Sequence, residues 1–400
     1  MKVPALLALL LISIPSLAQK PVPSAPAKNS MNVVGYFPQW GVYSNFFLKN
    51  LLTSGSAPLL TQINYAFANV VNSQCQSFDP WADFEVPFPA RFAVNGQADS
   101  QDPEAFVGNF HQLQELKQIY PNLKVVLSIG GAGANPAEFS TAAAPQNRQA
   151  FVASCIDMYI QGNFAPWLQE PGIIDGLDID WEFPGAADKQ NFTALLAEFR
   201  RQLDAVRPGL TLTIAAPPGS WAYDNIELPK VQRYLDFFGV MTYDYDGPWL
   251  SQTGFVAPLF QSPTDPDPTN NADATMRGYL RAGVHPDKMV FGIPFYGYQW
   301  SGVPDVNHGL FKPGTPADGA PYNYIVTIEG GFSKYRDPVT RAPWLYDGTT
   351  FWTYDDPVSI KFKMGYVRSH GLAGVMVWEL SNDLPNGTLL KTIVRGLDSE

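Results

Sequence analysis

The chain has 400 residues and carries 37 Asp and Glu against 26 Lys and Arg, which gives a formal net charge of -11. This balance excludes a basic surface for nucleic acid and a Lys/Arg-rich helix for an anionic membrane, so we expect neither partner. Four scattered histidines without short ligand spacing predict no metal site, and we expect no cofactor.

The chain begins with a segment that is typical of export. Lys2 precedes an apolar run from Ala5 to Ile12, and small residues close the segment at Ala18. This pattern predicts a secretory signal peptide over residues 1–18, because its apolar core is too short to span a bilayer. Residues 19–30 contain three prolines and predict a disordered lead-in. We therefore expect a secreted protein, extracellular or periplasmic, whose folded part begins at residue 31.

Short apolar, β-branched runs recur through the chain and alternate with helical periodicity, which is clearest at 106–116 and 192–206. Strands that alternate with amphipathic helices predict parallel pairing with right-handed crossovers. Eight such units predict an α/β fold, a closed (β/α)8 TIM barrel forming one catalytic domain over residues 31–400. The eight runs are 32–35, 62–69, 124–129, 173–181, 210–216, 237–243, 288–295 and 374–380.

The two cysteines, Cys75 and Cys155, have two possible states. Cys155 lies in a helical pattern, so a buried free thiol is at least as well supported as a bridge between the two. A chain of this length needs no disulfide framework.

A segment of different character separates the seventh strand from the last helix, which we place at 357–370. Residues 301–350 are rich in Gly, Pro, Asp and Tyr and are far longer than a βα loop needs. They predict an inserted α+β subdomain with short strands such as 324–328, or else a disordered loop. Aromatic residues such as Trp344 and Tyr346 favour the ordered alternative. An insertion here would form a wall of the active-site face.

The most informative segment is the run from Asp175 to Pro184, where a short apolar strand carries carboxylates at alternate positions. Successive strand side chains point to opposite faces, so Asp178, Asp180 and Glu182 share one face. Like charges crowded on an apolar strand cost stability and are typical of a working site. The alternative is a solvated acidic edge or a calcium loop, but calcium loops are Gly- and Asn-rich turns without this alternation.

Chemistry in a barrel of this kind collects at the C-terminal ends of the strands. Several predicted strand ends carry unusual residues, which together describe an acidic pocket lined by aromatic rings. Taken singly, each aromatic is explained by core packing and the glycine pair by a turn. The candidates are Tyr36, Trp40, Phe67, Ser128, Gly130, Gly131, Met241, Tyr243, Asp244 and Trp378.

These motifs resemble those of the family 18 glycoside hydrolases, the chitinases and their relatives. The acidic run 175–182 resembles the family's catalytic signature, Ser128-Ile129-Gly130-Gly131 its third-strand motif and Met241-Thr242-Tyr243-Asp244 its sixth-strand motif. The resemblance covers residues 31–380. The insertion after strand seven resembles that of the chitinase branch with an extra α+β subdomain.

The resemblance implies a role for each acidic residue. Glu182 would protonate the leaving oxygen, and the substrate's own 2-acetamido carbonyl would attack the anomeric carbon, as in the substrate-assisted exceptions among retaining glycosidases. Asp180 would hold the acetamido N–H and stabilise the oxazolinium cation. Asp178 would tune Asp180, since two adjacent carboxylates do not easily both ionise. Asp175 is out of phase with Asp178, and we expect a structural role for it.

The resemblance also implies how the sugar is held. Tyr243 would donate a hydrogen bond to the acetamido oxygen, Asp244 would contact the distorted sugar, and Trp378 would be its apolar platform. Further substrate-binding residues would be Tyr36, Trp40, Phe67, Gly130, Gly131, Met241 and Trp249.

The chain departs from the family pattern at Ala132, where many relatives have a tryptophan after the paired glycines. The resemblance would place this position opposite Trp249 on the leaving-group side of the cleft. The missing ring implies a weaker hold on the leaving group, and it favours soluble oligomers or accessible chain ends over crystal faces.

The resemblance implies a secreted chitinase that hydrolyses β-1,4 linkages between N-acetylglucosamine units by a retaining, substrate-assisted mechanism. Its partners would be chitin or chito-oligosaccharides, and we expect a monomer. One alternative is an endo-N-acetylglucosaminidase acting on glycoprotein glycans or peptidoglycan, against which the insertion argues. The other is a non-catalytic chitin-binding lectin, which would be expected to lack Glu182.

Overall fold

Eight parallel strands close into a barrel in the computed structural model, which describes residues 31–265 and 267–399. Each strand pairs with its neighbours in the chain, and strand eight pairs with strand one. The predicted (β/α)8 barrel is confirmed, whereas the predicted signal peptide and lead-in lie outside the described residues. Strands one to eight are Asn32–Pro38, Gln62–Val71, Lys124–Gly130, Gly176–Asp180, Thr211–Ala216, Phe237–Val240, Met289–Pro294 and Gly374–Trp378.

The alternation of strand four divides its side chains between two environments. Leu177, Ile179 and Trp181 belong to the large apolar core between barrel and helices. The Trp181 ring stacks on Phe139 with centroids 5.3 Å apart and meets Phe192 edge-on at 5.7 Å. Because alternate side chains point to opposite faces, this packing turns the intervening carboxylates toward the barrel interior.

Amphipathic helices cover the outside of the barrel. In Lys189–Val206, Phe192, Leu195, Leu196 and Phe199 follow helical spacing and are buried. No helix among the described residues has both the length and the apolarity needed to cross a membrane. The α-helices are Leu48–Thr53, Gly108–Ile119, Pro136–Ala143, Arg148–Cys155, Lys189–Val206, Ser220–Tyr223, Leu228–Val231, Ala272–Arg281, Tyr322–Ile328, Pro357–Ser369 and Thr388–Asp398.

The end of the chain differs from the prediction. The helix expected at 357–370 is present as Pro357–Ser369, but it is not the last, because Thr388–Asp398 follows strand eight. Leu389, Leu390 and Ile393 form the buried face of this final helix. These residues lie about one turn apart and therefore share one face of the helix. The helix packs this face inward and completes the ring of helices around the barrel.

The chain after strand seven forms a separate antiparallel sheet of five strands, where the sequence predicts an α+β subdomain over 301–350. The sheet begins at Tyr296 and ends at Tyr354, beyond the expected 301–350 on both sides. The strand predicted at 324–328 is wrong, because Tyr322–Ile328 is a helix whose buried residues lie one turn apart. In spatial order the five strands are Thr315–Pro321, Tyr296–Ser301, Phe351–Tyr354, Pro343–Tyr346 and Ser333–Arg336.

Asp356 joins this inserted sheet to the layer of helices. Its side chain caps helix Pro357–Ser369 by accepting a hydrogen bond from the N–H of Ser359 at 2.9 Å. It also pairs with Arg336 at 2.5 Å and Lys334 at 3.2 Å, both on an insertion strand. Burial alone would raise the pKa of Asp356, but the hydrogen bonds from Ser359 and Arg336 outweigh it and lower that pKa.

Cys75 and Cys155 form a disulfide, with Cα atoms 4.9 Å apart. Cys75 lies on Gln74–Ser77, a short strand paired antiparallel to strand two, and Cys155 ends helix Arg148–Cys155. The sequence leaves open whether the two cysteines are free or bridged, and the structure shows the bridge. It joins residues separated by 80 positions.

Candidate active site

Three carboxylates lie in a row at the carboxyl end of strand four, as the alternation predicts. Asp178 and Asp180 are the third and fifth residues of that strand, and Glu182 follows it. Asp178 is 1% exposed and Asp180 is 4% exposed, whereas Glu182 lines two cavities. The row therefore leads from the barrel interior to an open cleft.

Asp178 lies deepest and is held by hydroxyl donors from three other strands. Tyr36 and Ser128 donate to its Oδ2 at 2.7 and 2.8 Å, and Thr213 donates to its Oδ1 at 2.6 Å. Burial raises the pKa of Asp178, and these hydrogen bonds counteract part of the rise because they stabilise the carboxylate. Thr213 was not among the predicted site residues, since no local pattern distinguishes it from an ordinary strand residue.

Asp180 and Glu182 both have raised pKa values. Burial is the largest cause at Asp180, followed by the charges of Glu182 and Asp178. Burial also raises the pKa of Glu182 to about 7, with Asp244 as the second cause and a hydrogen bond with Asp180 acting against the rise. Glu182 can therefore keep the proton of a general acid up to near-neutral pH. Oδ1 of Asp180 is buried and has no hydrogen-bond partner among the described residues.

Tyr243 and Asp244 extend the site from the end of strand six. The Tyr243 ring is buried, and its hydroxyl faces the weak acceptor Sδ of Met376 at 3.8 Å, which leaves it available to a ligand. Asp244 has a left-handed φ of 59°, and its Oδ1 accepts hydrogen bonds from Tyr296 and Tyr298 at 2.6 and 2.9 Å. These two donors fix the carboxylate beside Glu182.

Tyr296 and Tyr298 are site residues that the sequence reasoning missed. They are alternate residues of insertion strand Tyr296–Ser301, so their side chains share one face. Their alternation directly after strand seven was the signal that could have identified them. The first insertion strand is thus part of the active-site wall.

The predicted aromatic residues come together around strand eight. The ring of Trp378 lies nearly parallel to Phe67, with centroids 5.5 Å apart. It meets Tyr36 edge-on at 5.4 Å and lies 6.2 Å from Trp40. The cluster gives the cleft a rigid apolar floor beside the carboxylates.

The paired glycines shape this floor through their backbone. Gly130 and Gly131 have φ values of 116° and 88°, which residues with a Cβ rarely adopt. The N–H of Gly131 donates to the carbonyl of Asp180 at 2.8 Å. A Cβ at Gly131 would meet the ring of Phe67 at 2.6 Å, so a larger residue would displace that ring.

Two adjoining cavities open onto the carboxylate row. The smaller, of about 410 Å³, is lined by Tyr36, Phe67, Ala132, Asp180 and Trp378 among others. The larger, of about 840 Å³, is lined by Phe183, Trp221 and Trp249 among others. Ala132 thus lies in the cleft, although it and Trp249 line different cavities. Four residues border both cavities: Glu182, Met241, Tyr243 and Asp244.

Asp175 lies just before strand four and has the contacts of a structural residue. Lys117 Nζ and the N–H of Val125 donate to its Oδ2 at 2.7 and 2.9 Å. It therefore ties a surface helix and strand three to the start of strand four, in agreement with the structural role expected for it.

In (β/α)8 barrels the active site lies at the C-terminal ends of the strands, and a carboxylic acid of raised pKa is the general acid of glycoside hydrolases. The family described as "Glycosyl hydrolases family 18" matches residues 32–383. The chain therefore belongs to glycosyl hydrolase family 18, and the resemblance of its motifs to that family is confirmed.

Curated relatives of the chain include named chitinases. Chitinase C of Streptomyces lividans is 34% identical over 377 residues, which cover 88% of this chain and 58% of that protein. Chitinase A1 of Niallia circulans is 32% identical, over 94% of this chain and 60% of that protein. The chain thus spans less than two thirds of the length of these relatives.

Solved structures give the same grouping. The catalytic domain of the psychrophilic chitinase B from Arthrobacter TAD20 matches with a TM-score of 0.85 and 36% identity, over 92% of this chain and 95% of that chain. The family 18 N-acetylglucosaminidase from Paenibacillus barengoltzii matches with a TM-score of 0.75 and 31% identity, over 92% of this chain and 100% of that chain. Both likenesses extend over more than nine tenths of this chain.

Proposed function

We propose that the chain is a secreted chitinase that hydrolyses β-1,4 linkages between N-acetylglucosamine units with retention, through an oxazolinium intermediate. One observation carries this proposal. Among the described residues, Asp180 Oδ1 has no partner and the Tyr243 hydroxyl has only a weak one, and both residues border a cavity floored by Trp378. An acceptor and a donor side by side match the N–H and C=O of a 2-acetamido group.

Glu182 is the general acid of the proposed reaction. Its pKa of about 7 keeps the carboxyl group largely protonated in acidic solution and partly protonated at neutral pH, and its position between the two cavities suits a proton donor to the glycosidic oxygen. The leaving sugar takes the Glu182 proton as the bond to the anomeric carbon breaks. Glu182, now ionised, then activates the water that opens the intermediate.

The substrate's acetamido oxygen is the nucleophile. Asp180 is poorly suited to that role, because burial and two neighbouring carboxyl groups raise its pKa and favour its neutral form. Tyr243 donates to the acetamido oxygen and directs it toward the anomeric carbon, while Asp180 accepts from the acetamido N–H. A five-membered oxazolinium ring results, and its positive charge favours ionised Asp180, with Asp178 sharing the displaced proton.

Two other functions are possible for a barrel of this family. An endo-N-acetylglucosaminidase on glycoprotein glycans or peptidoglycan gains some support from the likeness to the Paenibacillus barengoltzii enzyme. The relatives named chitinase favour the chitinase, because two of them are 34% and 32% identical over 88% and 94% of this chain. A non-catalytic lectin is the weaker alternative, since Glu182 is present with a pKa suited to acid catalysis.

Hydrolysis assays on chitotetraose, chitin and a high-mannose glycoprotein separate the three functions. We expect cleavage of the first two substrates and none of the glycoprotein. Glu182→Gln is the matched variant, because the amide has the same shape but cannot donate an acidic proton. Its turnover should fall by about 10²- to 10⁴-fold while chitotetraose binding persists, and near-normal hydrolysis would contradict the proposal.

A further inference from the structure

Trp221 is an exposed aromatic residue for which the catalytic steps above give no role. It lies in the short helical turn Ser220–Tyr223 after strand five, and 69% of its surface is exposed. Single exposed apolar side chains are common and need no explanation. Trp221, however, lines the same cavity as Glu182 and Trp249, itself 56% exposed.

Both exposed tryptophans rest on a glycine two residues earlier. A Cβ at Gly219 would clash with the indole of Trp221, and a Cβ at Gly247 would clash with the indole of Trp249. Each ring therefore packs against the glycine of its own Gly-x-Trp segment. Rings held in this way lose little conformational freedom when they bind a ligand.

Neighbouring aromatic rings fix the two indoles further. Trp221 meets Phe183 edge-on with centroids 5.4 Å apart, and Trp249 meets Tyr298 in the same manner at 5.7 Å. Phe183 directly follows Glu182, and Tyr298 donates to Asp244. Both exposed rings thus pack against residues that lie next to the site of proton transfer.

The arrangement of the two cavities indicates which side of the scissile bond Trp221 serves. Asp180 and Trp378, which suit the acetamido sugar, line the smaller cavity. Trp221 and Trp249 line the larger one, and Glu182 borders both. Since Glu182 protonates the oxygen between the two sugars, the larger cavity receives the leaving group.

We propose that Trp221 is a specificity-determining residue that stacks on the sugars of the leaving group and, with Trp249, gives this side of the cleft two aromatic contacts. The inference rests on the proposed function, because it takes a chito-oligosaccharide as substrate. Ala132 lines the smaller cavity, so the aromatic contacts of the larger cavity come from Trp221 after strand five and Trp249 after strand six.

The test compares Trp221→Ala with wild type on two substrates. Chitohexaose places several sugars in the larger cavity, whereas chitobiose oxazoline has no leaving group and needs only the smaller cavity. Trp221→Ala should raise KM for chitohexaose about two- to tenfold, the loss expected for one aromatic contact, with kcat and oxazoline hydrolysis unchanged. Trp221→Phe should recover part of the loss.

Two further variants keep the result interpretable. Trp167→Ala removes another exposed tryptophan, 40% exposed, that lines neither cavity, and it should leave KM unchanged. Gly219→Ala keeps Trp221 but displaces its ring, and because Gly219 has an extended φ of -138° the backbone accepts alanine. This variant should also raise KM for chitohexaose.

The outcomes separate the two proposals. An unchanged KM for chitohexaose in Trp221→Ala, with wild-type oxazoline hydrolysis, would overturn the role of Trp221 and leave the proposed function standing. An equal loss on both substrates would also overturn it, because the residue would then act on the site as a whole. Failure of the wild-type protein to hydrolyse the oxazoline would instead reject the proposed function.

Discussion

The pKa of Glu182 connects the packing of one side chain to the pH range of the proposed reaction. Burial raises this pKa from the usual 4.5 to about 7, and the acid is competent only while protonated. We therefore expect kcat/KM on chitotetraose to fall as pH rises through about 7. A pH–rate profile measures this directly, and a decline beginning near pH 4.5 would show that the site does not shift Glu182.

Asp244→Asn is the variant that isolates one cause of this shift. The charge of Asp244 is the second contributor to the raised pKa of Glu182. Its removal should move the alkaline limb of the profile to lower pH, whatever the variant does to the absolute rate. An unmoved limb would show that burial alone sets the pKa of Glu182.

Residue-scale prediction from sequence succeeds where the signal is local. The alternation of Asp178, Asp180 and Glu182 is visible in five consecutive positions. In a strand, alternate side chains point to the same face, so this pattern alone places the three carboxylates together. Thr213 and Tyr296 reach the same site from other strands. Their roles depend on which strands become neighbours in the barrel, and no short segment contains that information.

At the scale of elements, the inserted sheet offers a clean deletion. Trp300 and Phe351 are paired residues on adjacent antiparallel strands, so residues 301–350 can be replaced by a two-residue Asn-Gly turn. Tyr296 and Tyr298 remain to hold Asp244. We expect a folded barrel that cleaves short oligomers but binds long ones poorly, because Gly319, Ala320 and Pro321, which line the smaller cavity, are gone.

Thermal unfolding and oligomer-length kinetics measure both halves of that expectation. A cooperative transition with retained chitotetraose cleavage and a raised KM for chitohexaose is the expected result. Global unfolding of the deletion variant would show that the segment belongs to the core of the barrel.

The disulfide between Cys75 and Cys155 also connects two elements of the fold. It joins the strand Gln74–Ser77 to helix Arg148–Cys155 and restrains the unfolded chain across 80 positions. Replacing both cysteines by alanine should lower the free energy of unfolding by about 2–4 kcal/mol, as for typical native disulfides. Urea denaturation measures the loss. A reductant should destabilise the wild-type protein by a similar amount and leave the double variant unchanged; no difference in stability would contradict this role.

Element type was predictable for the eight barrel strands but not throughout the insertion. Residues 324–328 have strand-like composition, Tyr-Ile-Val-Thr-Ile, yet they are helical in the structure. Burial of Tyr322 and Ile325 on one side of that helix outweighs the weak local preference for a strand. The start of the sheet at Tyr296 was also missed, because its first strand continues directly from strand seven with no turn residues between them.

At the scale of the whole molecule, the barrel and the insertion build a cleft with two differently equipped halves. The smaller cavity offers the carboxyl group of Asp180 and the ring of Trp378, which suit an acetamido sugar. The larger offers the exposed indoles of Trp221 and Trp249, which would contact the leaving sugars in the proposed reaction. Glu182 borders both cavities, so in the proposed reaction each cavity would hold the sugars on one side of the scissile bond.

In the proposed reaction, the acetamido oxygen of the substrate is the nucleophile. Attack from within the sugar followed by attack of water gives two inversions, so the first-formed product should keep the β configuration. Proton NMR of the product released from chitotetraose, recorded before mutarotation, measures this directly. The β anomer should appear first. Initial release of the α anomer would contradict substrate assistance.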